Sequence, residues 1–423
     1  MRCAAMLAPV LVRAGHPGRA REVVELTMAA RPPGFSGARL GAILAWLLHE
    51  EGDEAGSVAA LAAAWAEAGD QARHVVRREW PRVEGPLWAA LEHEAVDPVA
   101  AIGAVAEALP GGSALGRFTR HPLPAVRRAA LLSAVAAGHP EGVDRLSDFE
   151  RDADPGVAAA ARAAADRLRR DPPPLAFRLF GAFQLRRGTW VVGDADWTRR
   201  VAEQLVRLLL CRGGEPVTED ELIETFWPDK PAGAGRRSLQ VAVSAARGVL
   251  DLPDAESSRI VAGERSDRLS LGPGDSVDAH DYERAAAAAL GTSGEGRRAA
   301  LVAAAGLWGG EPLPEERYAD WAVPWRERLI DRHAEVLAAL IEVLADAGDL
   351  AAAADVARRL VDLDPVNEAA HRQLIVAYAR AGQRGHALRQ YLACRRALVA
   401  ELGVEPGEQT AALQRRVLAG EAV

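Results

Sequence analysis

The chain has 423 residues, 49% of them hydrophobic but only 5% aromatic, and a formal net charge of −8. That length holds roughly two to four domains, the alanine- and leucine-rich composition favours helices over sheets, and the acidic balance excludes a generic polyanion binder, so any nucleic-acid surface must be local. Cys3, Cys211 and Cys394 are too scattered for a disulfide framework or a zinc site, and the ten histidines show no paired metal spacing, which together point to a reducing, cytoplasmic setting.

In chain order, Arg2 and the run CAAMLAPVLV are followed at once by Arg13 and lack a small-residue cleavage site. They predict a first repeat helix rather than a secretory leader. No later stretch is apolar enough to span a bilayer, so no membrane is expected as a partner. Residues 1–173 read as stacked helix pairs. Gly15 is followed five residues on by Ala20, and Gly52 by Ser57; Pro32 follows Gly15 as a helix stop. Small residues at those points let one helix end and the next approach closely, and the pattern resembles tetratricopeptide units. Further on, His121-Pro-Leu-Pro-Ala-Val126 and Asp152-Ala-Asp-Pro-Gly-Val157 align at a shift of 31 residues. This resembles short HEAT repeats, a proline turn and then a valine opening the inward face. The array is expected either to bind an unidentified partner or ligand or to stiffen the neighbouring domain. Asp171-Pro-Pro-Pro174 then predicts a stiff extended linker.

After the linker the periodicity changes. Leu175–Phe180, Phe183–Arg186 and Trp190–Val192 read as short strands with tight turns. A helix is expected from Thr198 to Cys211, with Val201, Leu205, Leu208 and Leu209 inward, stopped by Gly213-Gly214. Thr218 and Glu221 predict a capping box that opens Thr218–Phe226. The next helix, Ala232–Leu250, has two faces: Leu239, Val243, Ala246 and Leu250 form an apolar stripe, while Arg236, Gln240 and Arg247 fall on another side. Arg237, Ser238, Val241 and Ser244 flank that polar side, and Lys230 precedes it. From Lys230 to Leu250 there are four cations and no acid. Major-groove readout needs such a helix, because arginine forks onto guanine, glutamine onto adenine, and serine serves base or phosphate. Arg259–Ala262 and Arg268–Leu271 predict a closing hairpin, a wing that could set Arg265 or Arg268 against a phosphate or in the minor groove. Strands, helix-turn-helix and wing make residues 174–275 an α+β winged helix.

The segment from LAFRLFGAFQLRRG to GRRSLQVAVSAARGVL resembles the OmpR-type winged helix of the bacterial antibiotic-regulatory activators, the SARP group. The resemblance implies that the third helix reads double-stranded promoter DNA in repeated half-sites and that the protein recruits RNA polymerase holoenzyme. In the leading reading Arg236, Arg237, Gln240 and Ser244 meet bases or phosphates, Arg199, Arg200 and Lys230 anchor the DNA backbone, and Arg247 meets a phosphate. Where that family commonly carries Ser-Arg-Leu-Arg-Arg, this chain has Ser244-Ala245-Ala246-Arg247-Gly248, and residues 174–274 hold fourteen cations against fourteen acids. Fewer phosphate contacts mean weaker, less salt-dependent binding.

Residues 276–423 are expected to be helical throughout. Asp278–Leu290 and Arg297–Trp308 read as a pair, and a long helix runs to Ala345 with Leu329, Val336, Leu340 and Val343 along one stripe. Ala347-Gly348 and Ala381-Gly382 lie 34 residues apart, the tetratricopeptide period, each glycine again followed five residues on by Ala353 or Ala387. DWAVPWRERL and ALRQYLACRRALVAELGVEPGEQTAALQRRV resemble the bacterial transcriptional activator domain, which implies self-association or contact with other proteins.

The expected fold is therefore mainly α: an amino-terminal α-solenoid (1–173), a winged helix (174–275) and a tetratricopeptide-like domain (276–423). No phosphate loop, no clustered nucleophile and base and no metal ligand set appears, so no enzyme, cofactor or metal is expected. The leading expectation is a sequence-specific DNA-binding regulator, an activator by resemblance. Its alternative is a helical-repeat scaffold whose winged helix has lost DNA affinity.

Overall fold

The computed structural model describes residues 2–30, 34–109, 113–253, 255 and 257–421. The molecule is mainly α. In the first part, helices Arg2–Arg13 and Pro17–Ala29 pack on Phe35–Glu50, which pairs with Glu54–Ala68. Gly15 and Gly52 have φ of 80° and 81°, the left-handed region in which a side chain is strained. The residues five positions on, Ala20 and Ser57, are fully buried, and Ser57 Oγ donates to the Ala45 carbonyl at 2.8 Å. Pro32 lies outside the described residues. The helices Pro124–Ala136 and Pro155–Arg170 both begin with proline in the first turn, where its missing N–H costs nothing. Val126 and Val157 are fully buried. Arg127 forks onto the Asp152 carboxylate at 3.0 and 2.8 Å and so ties one repeat to the next.

The strands come next: β1 (Leu175–Arg178), β2 (Gln184–Arg187), β3 (Trp190–Val191), β4 (Val217–Thr218), β5 (Ile260–Ala262), β6 (Ser266–Leu269) and β7 (Ser276–Val277). One sheet has the order β3-β2-β1-β7, with β7 parallel to β1 (Phe177 opposite Val277); the other has the order β4-β6-β5. The hairpin is tighter than the sequence predicts, because β6 begins at Ser266 and sets Val261 opposite Arg268. Strands β4 and β7 are two residues each, too short for alternation to reveal.

The linker does not hold the array away from the sheet. Trp190 N–H donates to the Ala137 carbonyl (3.0 Å), and the His139 and Trp190 rings meet edge to face at 5.6 Å. A Cβ on Gly138 would stand 2.7 Å from the Arg187 carbonyl oxygen, so the turn ending Pro124–Ala136 approaches β2 as closely as a backbone can. Leu252, just past the helix Ala232–Leu250, packs into the array's last core among Leu146 and Leu168.

Beyond β7 come helices Asp278–Gly291, Arg297–Gly306, Val323–Asp346, Leu350–Leu363, Glu368–Arg380, Arg384–Leu402 and Glu408–Ala419. Gly348 and Gly382 repeat the left-handed turn at φ 73° and 71°, with Ala353 and Ala387 buried behind them. One apolar core runs without a break from Leu175 through the winged helix to Leu374. A second bond between these parts is ionic. Buried Arg207, on the helix Arg200–Cys211, meets Glu316 at 2.8 Å and Glu203 at 2.7 Å, with the Phe183 ring 4.7 Å from its guanidinium.

At the centre of this core His333 stacks on Trp308 at 4.2 Å, and its Nδ1 lies 3.1 Å from the Tyr282 hydroxyl. Burial drives the imidazole pKa from an ordinary 6.5 down to about 4, so His333 is neutral in the fold. Because the unfolded chain takes up the proton first, this stability is whole above about pH 6.5 and drains away as pH falls toward 4. Denaturation midpoints taken across that window should show a loss of roughly 3 kcal/mol by pH 4, and a His333→Leu variant should lack that share of the acid sensitivity.

Candidate nucleic-acid interface

The helix Ala232–Leu250 comes after Pro231, whose fixed φ sets the chain for a first turn. Leu239, Ala242, Val243, Ala246, Val249 and Leu250 are all buried against the core, so the apolar stripe takes the inward face. The preceding helix, Glu219–Phe226, is capped by Thr218, whose Oγ1 accepts from Glu221 N–H at 3.2 Å. The two helices touch where Gly235 meets Ile223: a Cβ there would stand 2.5 Å from Ile223 Cγ2.

The outward face holds most of the residues expected to meet DNA. Arg199, Arg237, Gln240, Val241 and Ser244 line one open concavity of about 500 Å³ between the helix and the segment before Arg200–Cys211. Arg199, Arg200, Arg237, Gln240, Val241 and Ser244 are all exposed. At the amino-terminal end of the helix, Lys230 Nζ donates to Ser238 Oγ at 2.8 Å and lies 5.7 Å from the Trp227 ring centre. Arg236 pairs with Glu219 at 3.0 Å, and Arg265, at the wing tip, pairs with Asp220 at 3.0 Å. The acidic first turn of the second helix, favoured there by the helix dipole, thus holds both arginines. Each is an exposed pair of small worth that a phosphate can displace.

Two expected contacts are placed elsewhere. Arg247 is half-buried and donates to the Ile260 carbonyl of β5 at 2.8 and 3.3 Å, so its guanidinium braces the wing and is not offered to a phosphate. Its position between the two faces makes either direction open to it, and the strand decides. Arg268 is exposed on β6, but it lines a different concavity with Gly213, Gly214 and His280, away from the wing tip. In the other direction, Thr198 and Ala245 line the groove although the sequence pattern does not mark them as contacts. For Thr198, adjacency to the Arg199-Arg200 pair is the one signal the sequence offers.

The departures from the family pattern fall on this same surface. Ala245 is half-buried in the groove wall, where an arginine would project. Gly248 is exposed, and a Cβ added there would meet nothing within 4 Å. Gly248→Arg should therefore relieve the helix of about 1 kcal/mol of glycine cost, raising the melting temperature measured on the full chain.

Among the described residues, no group of three or more His, Cys, Asp or Glu is arranged to hold a metal ion, and no helix is long and apolar enough to cross a membrane. Cys211 and Cys394 are buried, and burial pushes both thiols up, that of Cys394 to about 11. Tyr391 is buried within the last repeats, and Arg395 pairs with Glu405 at 2.6 Å.

Residues 275–418 match the family model of the bacterial transcriptional activator domain. Over 58% of its length the chain is 28% identical to the regulatory protein AfsR of Streptomyces griseus, of which the match covers 24%. It is 31% identical over 51% of its length to AfsR of Streptomyces coelicolor, covering 21% of that protein. It is also 27% identical over 58% of its length to the transcriptional regulatory protein EmbR of Mycobacterium tuberculosis, covering 63% of it. A solved structure of Mycobacterium tuberculosis EmbR in complex with a low affinity phosphopeptide aligns with a TM-score of 0.49 at 24% identity, over 59% of this chain and 66% of that one. The chain spans about a quarter of the length of the AfsR relatives it matches.

Proposed function

We infer, for a chain that carries a bacterial transcriptional activator domain and is homologous to transcriptional regulators, that it reads promoter DNA with the outward face of Ala232–Leu250. The observation that carries this reading is the open groove in which Arg199, Arg237, Gln240 and Ser244 converge with nothing packed over them. Arg237 and Gln240 read guanine and adenine edges in the major groove. Arg199 and Arg200, at the start of their helix, meet phosphates and fix the register. Lys230 and Arg236 reach the backbone at one end, and Arg265 joins them by exchanging Asp220 for a phosphate. Arg247 supports this surface from behind.

In this reading residues 1–173, 174–275 and 276–423 divide the work as array, reader and activator domain. The resemblance supports RNA polymerase holoenzyme and self-association as the activator domain's contacts, and activation as the direction of control. A scaffold with a degenerate reader is favoured by one observation, the capture of Arg236 and Arg265 by acids in a domain of balanced charge. One experiment separates the two: duplex fragments from the source genome are selected on the purified full chain at low ionic strength. The regulator retains a defined set, with affinity falling linearly in log–log against salt. Retention of none identifies the scaffold.

A further inference from the structure

We propose that the cavity where the helical array meets the winged helix is a binding site for a small amphipathic anion, a molecule with an apolar body and one carboxylate or sulfonate group. The cavity encloses about 350 Å³, within the range of sites that bury small molecules. Its apolar walls come from both sides of the junction: Leu146 and Leu168 from the array, Leu175 of β1, and Leu252 just past the reader helix.

The charge in its lining specifies the ligand. Arg187, on β2, lines the cavity and is only 3% exposed. Its Nη2 donates to the carbonyls of Val249 at 2.5 Å and Asp251 at 3.1 Å, which are dipoles and not counterions. Among the described residues no carboxylate pairs with it; Asp144 and Asp251 act on it only from a distance, and burial pulls its pKa below the ordinary value. The neighbouring Arg259 differs, because Asp275, fully buried, neutralises it at 2.9 Å. A buried cation without a carboxylate is costly, and an anion entering the cavity removes that cost. Arg169 and three acids, Asp144, Glu150 and Asp251, also line the space, so a polyphosphate or dianion is repelled more than a single negative charge.

The occupant would touch Leu250 and Asp251, the end of the reader helix, together with the array. Control of DNA reading by this occupant rests on the proposed function, whereas occupancy does not, and it is tested without DNA. Octanoate and anilinonaphthalene sulfonate are titrated onto the full chain by calorimetry, with octylammonium as the cationic counterpart. Both anions should bind saturably at one site, and octylammonium at least about tenfold more weakly. Ser147→Trp, at an exposed position in the cavity wall, should weaken both anions by about tenfold or more without moving the melting temperature. Arg187→Gln should abolish the preference for anions; if it fails to fold, the Ser147→Trp result decides. Binding of neither anion, equal binding of octylammonium, or wild-type affinity in Ser147→Trp overturns the proposal.

Discussion

Replacing Arg199 and Arg237 together by alanine is expected to lower the affinity of the full chain for its target duplex by about 10²- to 10³-fold, since each contact of this type is worth roughly 1–3 kcal/mol. Both side chains are exposed, line the same groove and take no hydrogen bond or ion pair among the described residues, so the fold loses nothing with them. The melting temperature should stay where it is, because surface substitutions free of such bonds cost at most about 0.5 kcal/mol. Mobility-shift titrations at several salt concentrations give a second readout. The log–log slope should flatten by about 0.9 for each arginine that meets a phosphate and stay unchanged for one that meets a base. Undiminished binding by the double variant would remove the groove from the DNA interface.

Arg207→Ala is expected to have the largest effect on stability, about 3–5 kcal/mol, because it strands a buried carboxylate. Glu316 would keep only Gln204 Nε2, at 3.4 Å, and Glu203 would lose its partner as well. The loss should appear as a lower urea midpoint, with winged-helix and activator-domain signals falling together because they share one core. Replacing Arg207 and Glu316 both by leucine should recover much of the stability, since two well-packed apolar groups avoid the desolvation cost. A loss under about 1 kcal/mol for the single variant would mean that water screens the pair as it does on a surface.

The sequence carried the repeats and the helix Ala232–Leu250 because each is written in local terms. Gly15, Gly52, Gly348 and Gly382 adopt a turn that other residues resist, and the small residue five positions later fills the space that turn leaves. Leu239, Val243, Ala246 and Leu250 share a face by helical geometry alone, and that face is the buried one. What stayed hidden depends on chain far away. Strand β7 finds β1 a hundred residues earlier, and two residues cannot display a period. Arg187 lies one residue past the strand the sequence predicts, and its burial comes from the turn at Gly138 and the end of Ala232–Leu250 closing on it. Arg247 faces inward only because the Ile260 carbonyl arrives from the wing. Likewise Glu219 and Asp220 read as favourable first-turn acids, and nothing local says that Arg236 and Arg265 would come to them.

The unbroken core from Leu175 to Leu374 and the parallel seam between β1 and β7 deprive the molecule of a hinge behind the groove of Arg199 and Arg237. A torque applied to the helical repeats just beyond the wing must turn that surface with them as a rigid lever. Bending is left to the joint where Ala137, His139 and Leu252 meet Trp190 and the array's last core, a far smaller seam between the array and the block it would have to steer.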